Sequence, residues 1–397
     1  MEDAIYEASM RTSDFRAPAA GRIHRSMNGI DTFVPSTLPP TITYDERLVL
    51  VLSRADTALS ELSGIGRQLP NPHLLINPYL RREAILSSRI EGTRTSLSDL
   101  LLDEIDAVRE RTPEDEADLR EVRNYITALE FGIAELAAGR PLTLKLVTAL
   151  HARLMFQVRG HSSSPGRFRT IQNWIGPRNS TVDKAIYVPP PPDLLLECLT
   201  DWERFLHVQG EMPDLIRCAI LHEQFEAIHP FIDGNGRIGR LLITLFLIER
   251  DRLSQPLLYL SAYIEAHRLD YYHLLQQVRT DGDWNSWMLF FLRGIEETAR
   301  EAVQQTKRLV DLREAFRSHL LNKPKALALI DHLFVNPYIT VARAQKILEV
   351  SDPTARSAVS TLEASGVVVQ LTGGRWRRTY VCHQILDAIS LGESSQE

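Results

Sequence analysis

The sequence predicts a mainly α-helical protein with one short β-hairpin and a small α+β domain at its C-terminal end. Three observations carry this. Leu119, Val122, Ile126, Leu129, Ile133 and Leu136 recur at alternating spacings of three and four, the stripe of an amphipathic helix. Residues 238–250 are apolar on nearly every side, as a helix at the centre of a bundle must be. Beyond Pro324 the pattern runs helix, turn, helix, hairpin.

The elements follow in order. Residues 1–40 are polar, with scattered prolines and little periodicity, and predict an extended leader. A helix through Pro78 to Glu91 ends at Gly92, the residue type that best accepts the left-handed position past a helix end. Thr112, Pro113 and Asp115 supply an N-cap, a first-turn proline and an early acid for the striped helix. Further helices are predicted near 143–156, 193–208 and 213–228. Between them, Phe168 to Val188 carries β-type residues on both sides of Gly176-Pro177-Arg178-Asn179 and predicts a hairpin, closed by the extended run Pro189 to Pro192. Helices continue to about Arg317, and Asn322-Lys323-Pro324 marks a boundary. Thr340 then caps a short helix, Val350-Ser351 turns, and Asp352-Pro353 starts a helix ending at Gly366. Val367 to Gln370 and Arg377 to Cys382 flank Gly373-Gly374 as a hairpin, completing a winged-helix pattern.

Composition narrows the function. With 397 residues, 44% hydrophobic and 24% charged, the chain is long enough for two or three globular domains. A net charge of −6 gives no overall pull towards nucleic acid or anionic membrane. Cys198, Cys218 and Cys382 are far apart and form no CxxC, so reduced thiols are expected rather than disulfides or a zinc site. The acidic start Met1-Glu2-Asp3 is unlike a signal peptide, and the longest apolar run, Leu241 to Ile248, is too short to span a bilayer. A cytoplasmic protein is expected.

The chemistry concentrates in His229-Pro230-Phe231-Ile232-Asp233-Gly234-Asn235-Gly236-Arg237-Ile238-Gly239-Arg240. Pro230 disfavours helix at His229, which therefore projects at a helix end. Gly234 and Gly236 let backbone N–H groups turn inward as a nest just before a helix N-terminus, and both features attract anions. Arg237 and Arg240 lie three apart in that helix's first turn. Cations there are disfavoured by about 0.3–1 kcal/mol each unless a polyphosphate arrives. Asp233 is a hard oxygen ligand suited to Mg²⁺ on nucleotide phosphates, and His229 can serve as general base towards a hydroxyl.

This segment resembles, position for position, the HxFx(D/E)GNGRxxR signature of the Fic (fido) family of protein adenylyltransferases. Phe225-Glu226-Ala227-Ile228 and the stretch Tyr263 to Leu292, with Tyr271-Tyr272 and Asp281-Gly282-Asp283-Trp284, resemble the family too. The likeness runs from about Asn77 to Leu292. It implies a helical Fic-type core with a hairpin flap, and transfer of AMP from MgATP to a Ser, Thr or Tyr hydroxyl of a target protein. By the same resemblance, His229 deprotonates the hydroxyl, Phe231 anchors the loop and Asp233 holds Mg²⁺. Gly234, Asn235 and Gly236 bind the α- and β-phosphates. Arg237 and Arg240 clamp the phosphate tail. Tyr272 and Leu275 line the adenine pocket, and Gln224 is a further candidate. The resemblance also implies a target docked on the hairpin at 174–188 by strand addition, with the chain itself a candidate target; a plain structural hairpin is the alternative.

Ser87-Ser88-Arg89-Ile90-Glu91-Gly92 resembles the family's inhibitory pattern, in which Glu91 pairs with Arg240 and blocks the γ-phosphate. A carboxylate in a helix's last turn faces the negative end of the dipole and profits from a cationic partner. The organisation implied is a leader at 1–40 and an N-terminal helical region carrying the inhibitory motif at 41–115. A Fic catalytic core at 116–297, a linker helix at 298–321 and a winged-helix module at 322–397 follow. A homodimer is expected.

Other readings fall away or stay open. His222-Glu223 begins like HExxH, but Glu226 stands where the second histidine is required, and no P-loop or GxSxG segment exists. His151 and His319 are expected to be ordinary helix residues. Removal of AMP, with Glu91 positioning a water, uses the same constellation and stays open. DNA binding through 340–380 would present Thr354, Arg356, Ser357 and Ser360, with Arg375, Arg377 and Arg378 on the wing. From Pro324 onwards, however, seven Lys/Arg balance seven Asp/Glu, and DNA affinity leans on phosphate neutralisation. Protein docking is the alternative role for that module.

Overall fold

The computed structural model describes residues 10–68, 72–106, 111–158, 164–177, 181–208, 210–371 and 378–390. The expected extended leader contains a β-hairpin instead. Strand β1 (Gly21–Arg25) pairs antiparallel with β2 (Asp31–Pro35), Ile23 opposite Phe33. Asn28-Gly29 turns the chain, with Gly29 at φ 75°, and such a dipeptide between alternating apolar residues favours a hairpin. Phe33, Ala20 and Tyr187 form a small apolar cluster of their own, and burying Phe33 there orders a segment whose polar composition hides it.

Helix α1 (Glu46–Gln68) lies along a later, 36-residue helix. Helix α2 (Pro72–Ile90) starts before the predicted Pro78, which sits inside it. An interior proline costs one backbone bond. The helix is held nonetheless by tertiary contacts, among them Tyr79 Oη to Thr306 at 2.8 Å. Gly92 takes φ 101° past its end, as predicted. Helix α3 (Leu97–Asp103) follows, then α4 (Pro113–Ala137), whose Thr112–Asp115 capping box and first-turn proline match the sequence signals. Helix α5 (Leu144–Leu154) completes this part.

The predicted flap hairpin holds by a single antiparallel bridge, Ile175 to Tyr187, and residues 178–180 of its turn lie outside the described residues. The chain's own leader bonds its second arm, through Met10 N–H to Ala185 O and Phe33 N–H to Val188 O. Helix α6 (Pro192–His207) leads to α7 (Asp214–Ile228) and α8 (Asn235–Glu249), which are buried along nearly their whole lengths and form the centre of the bundle. Helices α9 (Ser261–Ala266), α10 (Arg268–Asp281) and α11 (Trp284–His319) wrap this pair.

The C-terminal part comprises α12 (Pro324–Val335), β3 (Tyr338–Thr340), α13 (Val341–Leu348), α14 (Asp352–Ala364), β4 (Val369–Gln370), β5 (Thr379–Val381) and α15 (His383–Ser390). Its three strands order β3-β5-β4, all antiparallel. Thr340 caps α13 through its side chain. Arg356, Ser357 and Ser360 are exposed on α14, Thr354 is half-buried, and Gly373, Gly374, Arg375 and Arg377 lie outside the described residues. Its apolar residues join the main core, so α12 and α15 pack directly on α2 and α11. All three cysteines are buried and unpaired. Among the described residues no helix is long and apolar enough to cross a membrane.

Candidate active site

The loop between α7 and α8 is built from the inside out. His229 ends α7 in the left-handed region (φ 49°, ψ 60°), its N–H still bonded to Phe225 O. That conformation is uncommon for a residue with a side chain and marks a site where surroundings over-determine the backbone. Arg169 supplies much of that constraint. It is 4% exposed and donates from Nε to His229 O at 3.0 Å, and from Nη2 to Pro190 O at 2.5 Å. Its own N–H bonds Pro230 O. Asn173 adds a bond from Nδ2 to Phe231 O at 2.8 Å.

Phe231 is fully buried and anchors the loop, stacked on His151 at 3.7 Å and tilted against Phe168 at 5.2 Å. Asn235 braces it reciprocally. Phe231 N–H donates to Asn235 Oδ1, and Asn235 Nδ2 donates to Phe231 O, both at 2.8 Å. The Asn235 side chain is therefore spent on the loop, and only its backbone amide is open to an anion. The first backbone bond of α8 runs from Ile238 N–H to Gly234 O, so the amides of Asn235, Gly236 and Arg237 are the open donors of this helix end. Gly234 sits at φ 79° and donates its N–H to Asp233 Oδ1 at 2.6 Å.

His151 is not the ordinary helix residue that sequence suggests. Its Nδ1 accepts Gly166 N–H at 2.9 Å, so its Nε2 carries the proton and donates to Asp233 O at 3.0 Å. Burial lowers its pKa to about 4 and keeps it neutral. The sequence signal was a histidine one turn from Val147 and three residues from Leu154 on a buried stripe, a pattern shared with inert core histidines.

The two arginines part company. Arg237 is 3% exposed and turns to α4, where Nη1 bonds Glu121 at 2.6 Å, with Asp233 at 3.5 Å. Arg240 turns to α2 instead. Its Nε bonds Ser87 Oγ at 2.9 Å, and Nη2 bonds Ser87 O at 2.9 Å and Glu91 Oε1 at 2.6 Å. A Cβ at Gly236 would run into Glu91 Oε1 and the Arg240 guanidinium, so the glutamate lies directly over the nest. Burial opposes the charge on both partners. Each outweighs that for the other, lowering the Glu91 pKa and raising that of Arg240.

Burial, aided by Arg169 and Arg279, holds His229 well below the usual imidazole pKa, so it is neutral at pH 7. Its Nδ1 is buried, and the Glu226 backbone beside the ring favours the tautomer that carries the proton on Nδ1 and the lone pair on Nε2. Asp233 is half-exposed. It offers a carboxylate oxygen of the kind Mg²⁺ takes together with phosphate oxygens, while the neighbouring amides suit the phosphates themselves. Among the described residues no group of three or more His, Cys, Asp or Glu gathers as a metal site by itself. Tyr272 lies within electrostatic reach of Glu91 and Arg240, and burial raises its pKa. Leu275 is buried two helical positions beyond that tyrosine's neighbour His273. Gln224 is engaged elsewhere. Its Nε2 donates to Ser36 O and ties α7 to the leader, so it serves the hairpin rather than the loop.

A histidine at one helix end thus stands beside the open amides that begin the next helix, an arrangement suited to an anionic ligand. The family models described as Fic/DOC family N-terminal and Fic/DOC family match residues 49–134 and 141–247. The chain belongs to the Fic/DOC family. It is similar to the protein adenylyltransferase Fic of Drosophila ananassae, at 29% identity over 182 residues, 45% of this chain and 33% of that protein. The Drosophila virilis protein of the same name is 28% identical over the same length. The chain thus spans about a third of the length of these curated relatives. Among solved structures, a Fic family protein from Desulfovibrio desulfuricans G20 shares the fold with a TM-score of 0.56 and 22% identity, covering 87% of this chain and 98% of that one. A fragment of Caenorhabditis elegans Fic-1 aligns with a TM-score of 0.52 and 19% identity, covering 67% and 74%.

Proposed function

We propose that this protein transfers AMP from MgATP to a Ser, Thr or Tyr hydroxyl of a target protein, and that Glu91 restrains it. The observation that carries this reading is the neutral His229 imidazole beside the open amides of Asn235, Gly236 and Arg237. The amides hold the phosphates. His229 Nε2 accepts the proton as the target oxygen attacks the α-phosphorus. A new P–O bond forms there, the bond to the β-phosphate oxygen breaks, and pyrophosphate leaves. Arg237 and Arg240 stabilise the negative charge of the departing group. Mg²⁺, which Asp233 would hold, supplies further charge neutralisation on the phosphates. In the state described, Arg240 is taken by Glu91, and the γ-phosphate has no free guanidinium to meet.

The test is incubation of the full chain with ATP labelled at the α-phosphate, alone and with cell lysate. Glu91→Gly should raise protein labelling over the unsubstituted chain, and Glu91→Gly with His229→Ala should lose it while still binding ATP. Undiminished labelling by the double variant defeats the role of His229. A fall on Glu91→Gly defeats the inhibitory role, and favours AMP removal with Glu91 activating water.

A further inference from the structure

Helix α2 is gripped from two sides, and only one of them is the active site. On the inner side, Glu83 accepts Tyr125 Oη at 3.1 Å and Ser261 Oγ at 2.5 Å, while Ser87 and the adjoining Glu91 engage Arg240. On the outer side stands the C-terminal part of the chain. Arg82, the neighbour of Glu83, is 7% exposed, lies 4.4 Å over the Tyr259 ring, and donates from Nη1 to Ile389 O in the last turn of α15. A cation there meets the negative end of that helix. Arg81 forks onto Glu104 at 2.7 and 2.8 Å. Asn336, just past α12, donates to the same carboxylate at 3.1 Å and to Leu101 O at 2.8 Å. Tyr338 on β3 bonds Ser98 through its hydroxyl at 3.0 Å. Leu101, Leu102 and Ile105 form one apolar cluster with Tyr338 and Val381.

We infer that the C-terminal module is the clamp that keeps Glu91 on Arg240, so that loosening it opens the nucleotide site. This rests on the inhibitory reading of Glu91 and adds what holds it in place. The physical ground is lever-like. Glu91 lies one residue past the end of α2, its side chain 35% exposed while that of its partner Arg240 is 2% exposed. Its position depends on α2 as a rigid element, and Glu104 is the junction at which α2, α3 and the C-terminal module share one carboxylate. The module's bonds reach α2 at Arg82 directly and at Arg81 through the shared Glu104. The module's exposed α14 face stays clear of these contacts, so an event there reaches the site through α12, β3 and α15.

The experiment compares the full chain with Asn336→Ala and Arg82→Met, each alone and combined with Glu91→Gly. Amide hydrogen exchange over residues 83–92 should quicken about tenfold in both single variants, one hydrogen bond's worth of local stability. Self-labelling from α-labelled ATP should rise about fivefold to tenfold in the chain that keeps Glu91, and not rise further in the Glu91→Gly background. Unchanged exchange over 83–92 overturns the clamp, and so does an equal rise in both backgrounds. Faster exchange with unchanged labelling in the Glu91 chain reduces the module to a structural buttress and overturns it too. If Glu91→Gly alone gives no rise in labelling, the inhibitory reading fails and the clamp falls with it; a rise there with unchanged exchange over 83–92 overturns the clamp alone. Should Arg82→Met fail to fold, Tyr338→Phe, which removes one hydroxyl and keeps the ring, takes its place.

Discussion

Glu91 Oε1 lies 2.6 Å from Arg240 Nη2, joining two positions 149 residues apart over the first turn of α8. The arginine side chain is 2% exposed and also holds Ser87 Oγ, so on the proposed reading a nucleotide would have to displace the carboxylate to use it. Glu91→Gln keeps the shape and removes the charge, and should tighten MgATP binding about tenfold, the equivalent of ~1.4 kcal/mol, in a calorimetric titration. Equal affinity in the two chains would remove the competition. The folded pKa of Glu91 is lowered. The pairing is therefore fully present above the unfolded carboxylate value and is lost only as pH falls through the lower, folded one. The ratio of the two affinities should stay constant between about pH 6 and pH 9.

His151 shapes the loop through Asp233 O and Gly166 N–H. His151→Phe preserves the stack on Phe231 but leaves both groups without that partner, at a cost of about 1–3 kcal/mol each at most. Labelling by Glu91→Gly with His151→Phe should fall at least about tenfold below Glu91→Gly, since a loop displaced by a fraction of an ångström misaligns the attack. Labelling equal to the parent's would make the histidine a mere packing residue.

Arg169 bridges carbonyls of Ile228, His229 and Pro190 from a buried position. Arg169→Met leaves these acceptors unpaired and should lower unfolding stability by about 2–4 kcal/mol, read from denaturant midpoints. Arg169→Lys should restore little of it, because an ammonium cannot reproduce the planar fork. Full rescue by lysine would show that charge alone matters there.

Glu226 makes the clearest pH prediction. Burial pushes its carboxyl up to about 7 against the pull of Arg240, and its Oε1 has no hydrogen-bond partner among the described residues. For an acid whose folded pKa is raised, the stability contribution is complete below the unfolded value near 4.5 and is lost as pH rises through about 7. Glu226→Gln removes this titration. The variant should match the parent near about pH 5 and exceed it at about pH 8, by on the order of 3 kcal/mol or less. Parallel stability curves for the two chains would count against a buried, titrating Glu226.

Much of the site was readable because its signals are local. Pro230 ends α7, Gly234 takes the positive φ, and the Thr112–Asp115 box opens α4, each decided by residues a few positions apart. The leader hairpin carried a local signal too, in Asn28-Gly29 between Ile23 and Phe33, but its burial depends on Tyr187 far along the chain. Gln224 looked available and is instead bonded to Ser36. His151 and Arg169 were illegible as site residues, since their targets are backbone oxygens that no residue type advertises.

The sequence by itself determined the helical periods, the caps and the twelve-residue loop, because those follow from steric and hydrogen-bonding preferences acting within a turn or two of chain. The Glu91–Arg240 pair was expected from the resemblance, but only the packed chain shows that Arg237 goes to Glu121, that Ser87 shares Arg240, and that the C-terminal module seats on the helix leading to Glu91. A side chain's partner across the fold depends on which buried faces meet. Packing sets that, by removing apolar surface from water across the whole molecule at once.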